Sequence, residues 1–219
     1  MKAVVLGSVA YSDNSYMVKM LTAENGVVSV SVHTGGRNAR MRKSFLLPLT
    51  LLEVELAGRE NNEVRYISDC RVYRQCNDLI ANPMKMLGSQ FVCEVTEKAL
   101  KFQTSADGGI FDFVEDAIVE MDELKGNVES WIIVYMYGLM QQVGIVPDLG
   151  GYESGMSLDL NEGRVVRYGK FARETEALMR VLGDGDVGND FLLLAEFTIK
   201  YFQRHLEGFG TVKTLALFE

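Results

Sequence analysis

Leu21–Leu56 reads LTAENGVVSVSVHTGGRNARMRKSFLLPLTLLEVEL, and the fold turns on this stretch. Two β-type runs, Met17–Ala23 and Val27–His33, meet at Asn25-Gly26, a dipeptide that tolerates positive φ and suits a tight hairpin. GGRNARMRK follows, in which two glycines free the backbone and Arg37, Arg40, Arg42 and Lys43 place four cations within seven residues. A further strand, Phe45–Leu56, contains Pro48, which lacks an N–H and so puts it at a sheet edge or a bulge. Strands thus fix the roots of a loop that carries most of the nearby positive charge, an arrangement suited to a polyanion.

Outward from this stretch, residues 1–76 read as all-β. Ala3–Tyr11, Tyr16–Ala23, Val27–His33, Phe45–Leu56 and Val64–Tyr73 make five strands, with turn chemistry at Ser12-Asp13-Asn14, Asn25-Gly26, Gly35-Gly36 and Gly58–Asn62. Five short strands with a long loop between the third and fourth predict a small Greek-key barrel of the OB type, and an SH3-like barrel satisfies the same pattern. Near Asn77–Met86 the period changes. Asn82-Pro83 supplies an N-cap and a first-turn proline, and Met84, Leu87, Phe91, Val92, Val95, Ala99 and Phe102 recur at helical spacing to about Gln103. A second helix, Gly109–Leu124, carries Ile110, Phe113, Val114, Ala117, Ile118 and Met121 on one face and is acidic elsewhere. Asn127 caps a third, Val128–Val143, whose nearly all-round apolarity at Trp131–Met136 predicts the centre of a bundle. A loop and short hairpin turning at Asn161–Gly163 come next, then a helix over Phe171–Leu182. Last is a helix over Phe191–Leu206, with Asp190 as cap and Gly208 as stop. The predicted class is α+β: an OB-type β-barrel over residues 1–77, then a helical domain over residues 78–219 with a hairpin insertion near 155–168.

Charge is divided unevenly along the chain. Residues 1–80 hold ten Lys/Arg against eight Asp/Glu, whereas residues 81–219 are net −10. The first part can approach nucleic acid; the second repels it over about 10 Å at moderate salt, so binding should be local and salt-sensitive. Cys70, Cys76 and Cys93 are odd in number and lack a paired CxxC spacing, which leaves neither a disulfide framework nor a four-thiolate metal site and points to a reducing cytoplasm. The apolar run Ala3–Ala10 reads as a first strand rather than a secretion signal, since only Lys2 precedes it and no cleavage site follows. Trp131–Tyr137, the longest apolar run, is far below the span a bilayer needs, so a soluble protein without membrane partners is expected.

The main site is Arg37, Arg40, Arg42 and Lys43, whose charged groups can contact successive phosphates. Lys19 on an outer barrel face, and Arg71 and Arg74 on the last strand, extend it. The competing reading is a solvated basic loop. Tyr11, Tyr16, Tyr66 and Tyr73 are candidates for stacking on bases, although at least half suit barrel packing. His33 and His205 have no metal-ligand spacing, and the acidic helix face Asp112–Glu123 reads as a solvated surface rather than a carboxylate centre. No nucleophile elbow, phosphate loop or dinucleotide fingerprint is present, so neither an enzyme nor a cofactor is predicted. Apolar helical faces with Lys200 and Arg204 could form a groove for an acidic, hydrophobic-ended tail, and core packing explains the same residues.

The order of these features resembles the RecO family of bacterial recombination mediators. The N-terminal course, from the first strand through the hairpin and basic loop to LLPLTLLEVEL, is similar to the family's opening; LMQQVGIVPDL is similar to its Gly-hydrophobic-x-Pro turn, SLDLNEGRV to its short hairpin, and IKYFQRHLEGFGTVKTLALFE to its final helix and tail. The resemblance spans almost the whole chain and rests on order and spacing. It implies an OB-fold joined to a helical domain, and a mediator that binds single- and double-stranded DNA, anneals complementary strands, engages the C-terminal tail of single-strand binding protein, and works with RecR to load RecA. It also implies a bacterial cytoplasmic protein that joins the nucleoid during repair. Many relatives carry a four-cysteine zinc site after the turn; here Gly144–Asp148 is followed by LGGYESG without cysteine, so the hairpin is expected to fold without zinc. The alternative is an acidic interaction scaffold with weak or no DNA binding. A third reading, a metal-dependent hydrolase built on the carboxylates, predicts nuclease activity.

Overall fold

The computed structural model describes residues 1–35, 43–57, 65–101 and 108–219. They form two compact units, Met1–Glu123 and Leu124–Glu219. The first is built on five strands: β1 (Lys2–Ser12), β2 (Ser15–Thr22), β3 (Gly26–His33), β4 (Leu51–Ala57) and β5 (Arg65–Arg74). They close in the order β1-β2-β3-β5-β4, with β4 returning to β1. All neighbours are antiparallel except β3 and β5, which pair in parallel at Val30↔Arg65 and Ser31↔Tyr66. This is the five-stranded Greek-key barrel of an OB-fold, not the SH3-like alternative.

Alternation explains the barrel interior. Val18 and Met20 of β2, Val30 and Val32 of β3, Val54 of β4 and Ile67 of β5 point inward with Ala3 and Val5 of β1. On β1, Val4 and Leu6 are buried as well as Ala3 and Val5, which is why this run is continuously apolar. The helix Pro83–Ala99 (α2) lies against β1, and Cys93 Sγ approaches the Val5 carbonyl at 3.5 Å. A register shift between Val5 and Gly7 bends β1, so its first residues pair with both β2 and β4. At the β2–β3 hairpin Gly26 has φ +63°, and Thr22 Oγ1 both accepts from Asn25 N and donates to the Gly26 carbonyl. The left-handed residue is the one the Asn-Gly pair was read for.

The fourth strand begins later than the sequence suggests. Lys43–Leu46 is a 3-10 turn, Leu46 enters the core, and the strand starts only at Leu51. Pro48 marks the chain reversal between them, where Leu49 adopts φ +59°, is 1% exposed, and donates its N–H to the Val5 carbonyl at 2.9 Å. A proline with no N–H sits where no ladder bond is needed.

Three helices complete this unit: α1 (Asn77–Ala81), α2 (Pro83–Ala99) and α3 (Gly108–Glu123). The Asn82 side chain caps α2 by accepting from Met84 N and Lys85 N, with Pro83 in the first turn as expected. The short α1 was not expected. Its Leu79 is buried, and Leu79 N donates to Asp122 Oδ1 of α3 at 2.8 Å. On α3 the buried aromatic is Phe111 and not Phe113, beside Ile110, Val114, Ile118 and Met121. The pattern change near residue 78 therefore marks the end of the barrel, while the compact unit runs on to Glu123.

In the second unit α4 (Val128–Gln142) is central, with Trp131, Ile132, Ile133, Met136 and Leu139 buried and Asn127 as its cap. It packs on α5 (Ala172–Asp184) and α6 (Phe191–His205). Asp190 precedes α6 but its side chain does not cap it; the carboxylate instead accepts from Arg173 at 3.1 Å and Arg180 at 2.7 Å. Two guanidinium groups outcompete a backbone N–H for this carboxylate. The hairpin β6 (Ser157–Asp159) and β7 (Arg164–Val166) turns through Gly163 at φ +65°. Asp159 Oδ1 accepts from Asn161 N and Glu162 N, Leu158 N donates to Thr175 Oγ1 at 2.7 Å, and His205 Nε2 lies 2.9 Å from the Leu160 carbonyl. A structural zinc does not fit here, because the chain offers no thiolate in this segment and Asp159 is already engaged by backbone N–H groups. Side-chain to backbone hydrogen bonds hold the hairpin in its place.

Candidate nucleic-acid interface

The basic loop leaves β3 and returns through the 3-10 turn. Its outgoing root is tied to the β1–β2 turn, since Thr34 N donates to the Asn14 carbonyl at 2.9 Å. A Cβ at Gly35 would stand 2.4 Å from Asn14 Cγ, so a larger residue here requires the exposed Asn14 side chain to swing aside. The returning root is tied by Leu46 in the barrel core. Both ends of the cationic segment are therefore set by the rigid barrel. Arg37, Arg40 and Arg42 lie outside the described residues. Lys43 is exposed, and its ammonium stands 5.8 Å from the centre of the Tyr16 ring, a cation–π contact that leaves hydrogens free for an anion.

The other cations expected to extend the site each meet a carboxylate. Lys19, on the outer face of β2, is ion-paired with Glu97 of α2. Arg71 Nε donates to Glu53 Oε2 at 2.7 Å across the β5–β4 pair, where these residues are in register. Arg74 lies 3.5 Å from Glu123. Exposed pairs of this kind contribute about 0–1 kcal/mol, so a phosphate can replace the carboxylate at little cost. The structure does not bring these three together around one anion, because each faces a different acidic residue on a different element.

Of the four tyrosines, two are open. Tyr11 and Tyr66 are 64% and 59% exposed. Tyr16 packs against the barrel core, and Tyr73 Oη donates to Glu115 Oε1 at 2.7 Å, beneath the Lys2 ammonium. Burial, followed by that hydrogen bond, pushes the Tyr73 hydroxyl pKa upward. His33 Nδ1 is 3.0 Å from Ser15 Oγ across the β2–β3 pair, and His205 Nε2 is held at the Leu160 carbonyl. Burial pushes the thiols of Cys70 and Cys93 up to about 12, and that of Cys76 to about 11, so each stays a neutral thiol at physiological pH. On α3, Glu115 is engaged by Lys2 and Tyr73, and Asp122 by Leu79 N. Among the described residues no three His, Cys, Asp or Glu side chains are grouped to hold a metal ion.

The barrel is also the part of the chain that a family model matches. Residues 1–76 match the family model for the N-terminal part of recombination protein O. The DNA repair protein RecO of Azobacteroides pseudotrichonymphae is 28% identical, over 99% of this chain and 95% of that protein. The chain is thus similar to RecO proteins along nearly its whole length. Other RecO proteins are similar over most or all of the chain: that of Porphyromonas gingivalis is 24% identical, over 75% of this chain and 69% of its own, and that of Flavobacterium psychrophilum is 20% identical over 100% and 96%. The RecO match begins in the barrel strands and continues through the helices.

The carboxylates facing Lys19, Arg71 and Arg74 were not read from the sequence. One had a signal: Glu53 and Arg71 sit opposite each other on neighbouring strands once the register is known. Glu97 is 78 residues from Lys19 and Glu123 is 49 from Arg74, separations at which a linear pattern holds no information.

Proposed function

We propose that this chain acts in DNA repair as a non-enzymatic recombination mediator. Its barrel holds single-stranded DNA through the loop Arg37–Lys43, brings complementary strands together, and with RecR directs RecA onto DNA coated by single-strand binding protein. The observation that carries the reading is the loop's attachment: four cations in seven residues spring from a closed OB barrel whose root Lys43 presents an exposed ammonium. Similarity to RecO proteins supports the repair role. Electrostatic attraction brings strands to this spot, and the acidic remainder of the chain keeps the contact local.

In the second unit, a cavity of about 440 Å³ is lined by Leu158, Phe171, Lys170 and Arg204 among others. Its apolar side chains and two cations suit an acidic, hydrophobic-ended tail such as that of single-strand binding protein, although Asp159 also lines it and offsets part of the Arg204 charge. Lys200 is less suited, since Glu196 lies 3.3 Å from it.

The test is fluorescence anisotropy with a labelled single-stranded oligonucleotide over a salt series. Charge reversal at Arg40, Arg42 and Lys43 abolishes binding if the loop is the site. A second reading, an acidic scaffold with little DNA affinity, is favoured by the ion pairs at Lys19, Arg71 and Arg74. It predicts capture of RecR or the acidic tail without any anisotropy change on DNA.

A further inference from the structure

Residues 164–173 read RVVRYGKFAR, with Arg164, Arg167, Lys170 and Arg173 at every third position and no carboxylate between them, although residues 81–219 as a whole are net −10. The segment runs from β7 through a turn into α5. Two of its cations already hold an acid: Arg164 donates to Glu162 at 2.7 Å and Arg173 to Asp190 at 3.1 Å. The other two, Arg167 and Lys170, are exposed and meet no hydrogen-bonding or ion-pair partner among the described residues. Between them Tyr168 is 93% exposed.

The backbone of this turn is fixed. Ser157 of β6 is opposite Val166 and is 1% exposed, and its Oγ accepts from Phe171 N at 3.0 Å. The Phe171 carbonyl in turn accepts from Thr175 Oγ1 at 2.6 Å. A Cβ at Gly169 would stand 2.4 Å from Ser157 Oγ and 2.6 Å from Ser157 Cβ, and a buried serine has no room to swing aside, so glycine is needed here. Arg167, Tyr168 and Lys170 therefore stand out from a turn held at both ends, within about 11 Å of backbone.

Two cations without carboxylates attract an anion, and the ring between them selects which. An acidic peptide matches the cations alone. A single strand presents phosphates and flat base faces in alternation, which matches cation, ring and cation in one turn. A duplex stacks its base faces on one another and offers only groove edges and phosphates.

We infer that the turn Arg167–Lys170 is a second contact for single-stranded nucleic acid, with phosphates at Arg167 and Lys170 and a base on Tyr168, so that each unit of the chain holds a strand of its own. The inference rests on the proposed DNA binding and goes beyond it: bringing complementary strands together takes two contacts, and the barrel loop supplies one. With two cations against the loop's four, the turn is the weaker contact. It shares Lys170 with the cavity proposed for the acidic tail.

The experiment counts strands on the full-length chain, on R167Q/K170Q and on R40Q/R42Q/K43Q, by native mass spectrometry at low salt with an oligothymidylate of about eight nucleotides. The altered turn residues are exposed, so the core is untouched, and far-UV circular dichroism with the thermal midpoint verifies this. The parent is expected to take two strands and each variant one. Adding Y168A to R40Q/R42Q/K43Q lowers the remaining affinity for oligothymidylate about fivefold or more, and that for an abasic sugar-phosphate oligomer of equal length about twofold or less. The remaining binding falls with salt at a log–log slope of about −1.4, the value for two phosphates of a single strand. A parent that takes one strand, or R167Q/K170Q that still takes two, overturns the second contact and leaves loop-driven binding standing. A Y168A effect that is equal on both probes, or absent, overturns the base contact and with it the assignment of the turn to nucleic acid. A parent that takes no strand overturns both proposals.

Discussion

Lys2 Nζ donates to both carboxylate oxygens of Glu115, at 2.8 and 2.9 Å, although 113 residues separate them. Tyr73 Oη adds a third bond to the same carboxylate, so β1, β5 and α3 meet on one charge. Burial pushes the Glu115 carboxyl up, but the bonds from Lys2 and Tyr73 outweigh it and hold the carboxyl below its ordinary range. Its stabilising contribution is therefore present in full above the unfolded value of about 4.5 and is lost as pH falls through the lower folded value. Glu115→Ala is expected to cost about 1–3 kcal/mol at neutral pH, and Glu115→Gln to flatten the acid limb of stability. Urea unfolding across an acid series measures both.

Lys85 is 2% exposed, and its ammonium donates to the Asp122 carbonyl at 2.7 Å while Asp78 stands 3.6 Å away. It ties α1, α2 and α3 together. Lys85→Ala leaves a carbonyl without its donor and a void where the stem lay, so a loss of about 2–4 kcal/mol is expected. Lys85→Met keeps most of the stem volume and should lose less. Urea midpoints of the two variants should fall in that order.

At Leu49 backbone strain and burial oppose each other, since the residue is fully packed yet adopts φ +59°. Removing the side chain costs about 2–5 kcal/mol, but glycine also relieves about 1 kcal/mol of left-handed strain that alanine keeps. Leu49→Gly should therefore be no less stable than Leu49→Ala, the reverse of the usual order. Thermal melts of both variants decide it.

Glu53 and Glu97 hold Arg71 and Lys19 in exposed pairs. If those cations lie within reach of bound DNA, Glu53→Gln with Glu97→Gln frees two of them. Affinity for a single-stranded oligonucleotide at low salt should rise by about two- to fivefold, with a steeper salt dependence. An unchanged titration would exclude both residues from the contact surface.

Local chemistry was legible in the sequence wherever a single turn decided it. Asn25-Gly26 forms the hairpin and Asn82-Pro83 opens α2, as does Asn127 for α4, because each uses a backbone rule satisfied within a few residues. Strand count and loop length predicted a small barrel and left the OB and SH3-like types open; the closure β1-β2-β3-β5-β4 decides between them. Signals that compete were not. The late start of β4 depended on Leu49 finding the Val5 carbonyl, and Asp190 gave up its cap for Arg173 and Arg180. The burial of Phe111 in place of Phe113 depended on where α3 meets its neighbours. The carboxylates that face the outer cations also arise from tertiary packing, beyond the reach of period or spacing.

The account depends most on the loop Arg37–Lys43 contacting phosphate. The decisive measurement is the slope of log affinity against log salt for a single-stranded oligonucleotide, compared between the full-length chain and R40E/R42E/K43E. With four phosphates neutralised, the slope of the parent chain should be about −3, and the variant should bind too weakly to measure at moderate salt. Equal affinity and an equal slope in the variant would contradict the account.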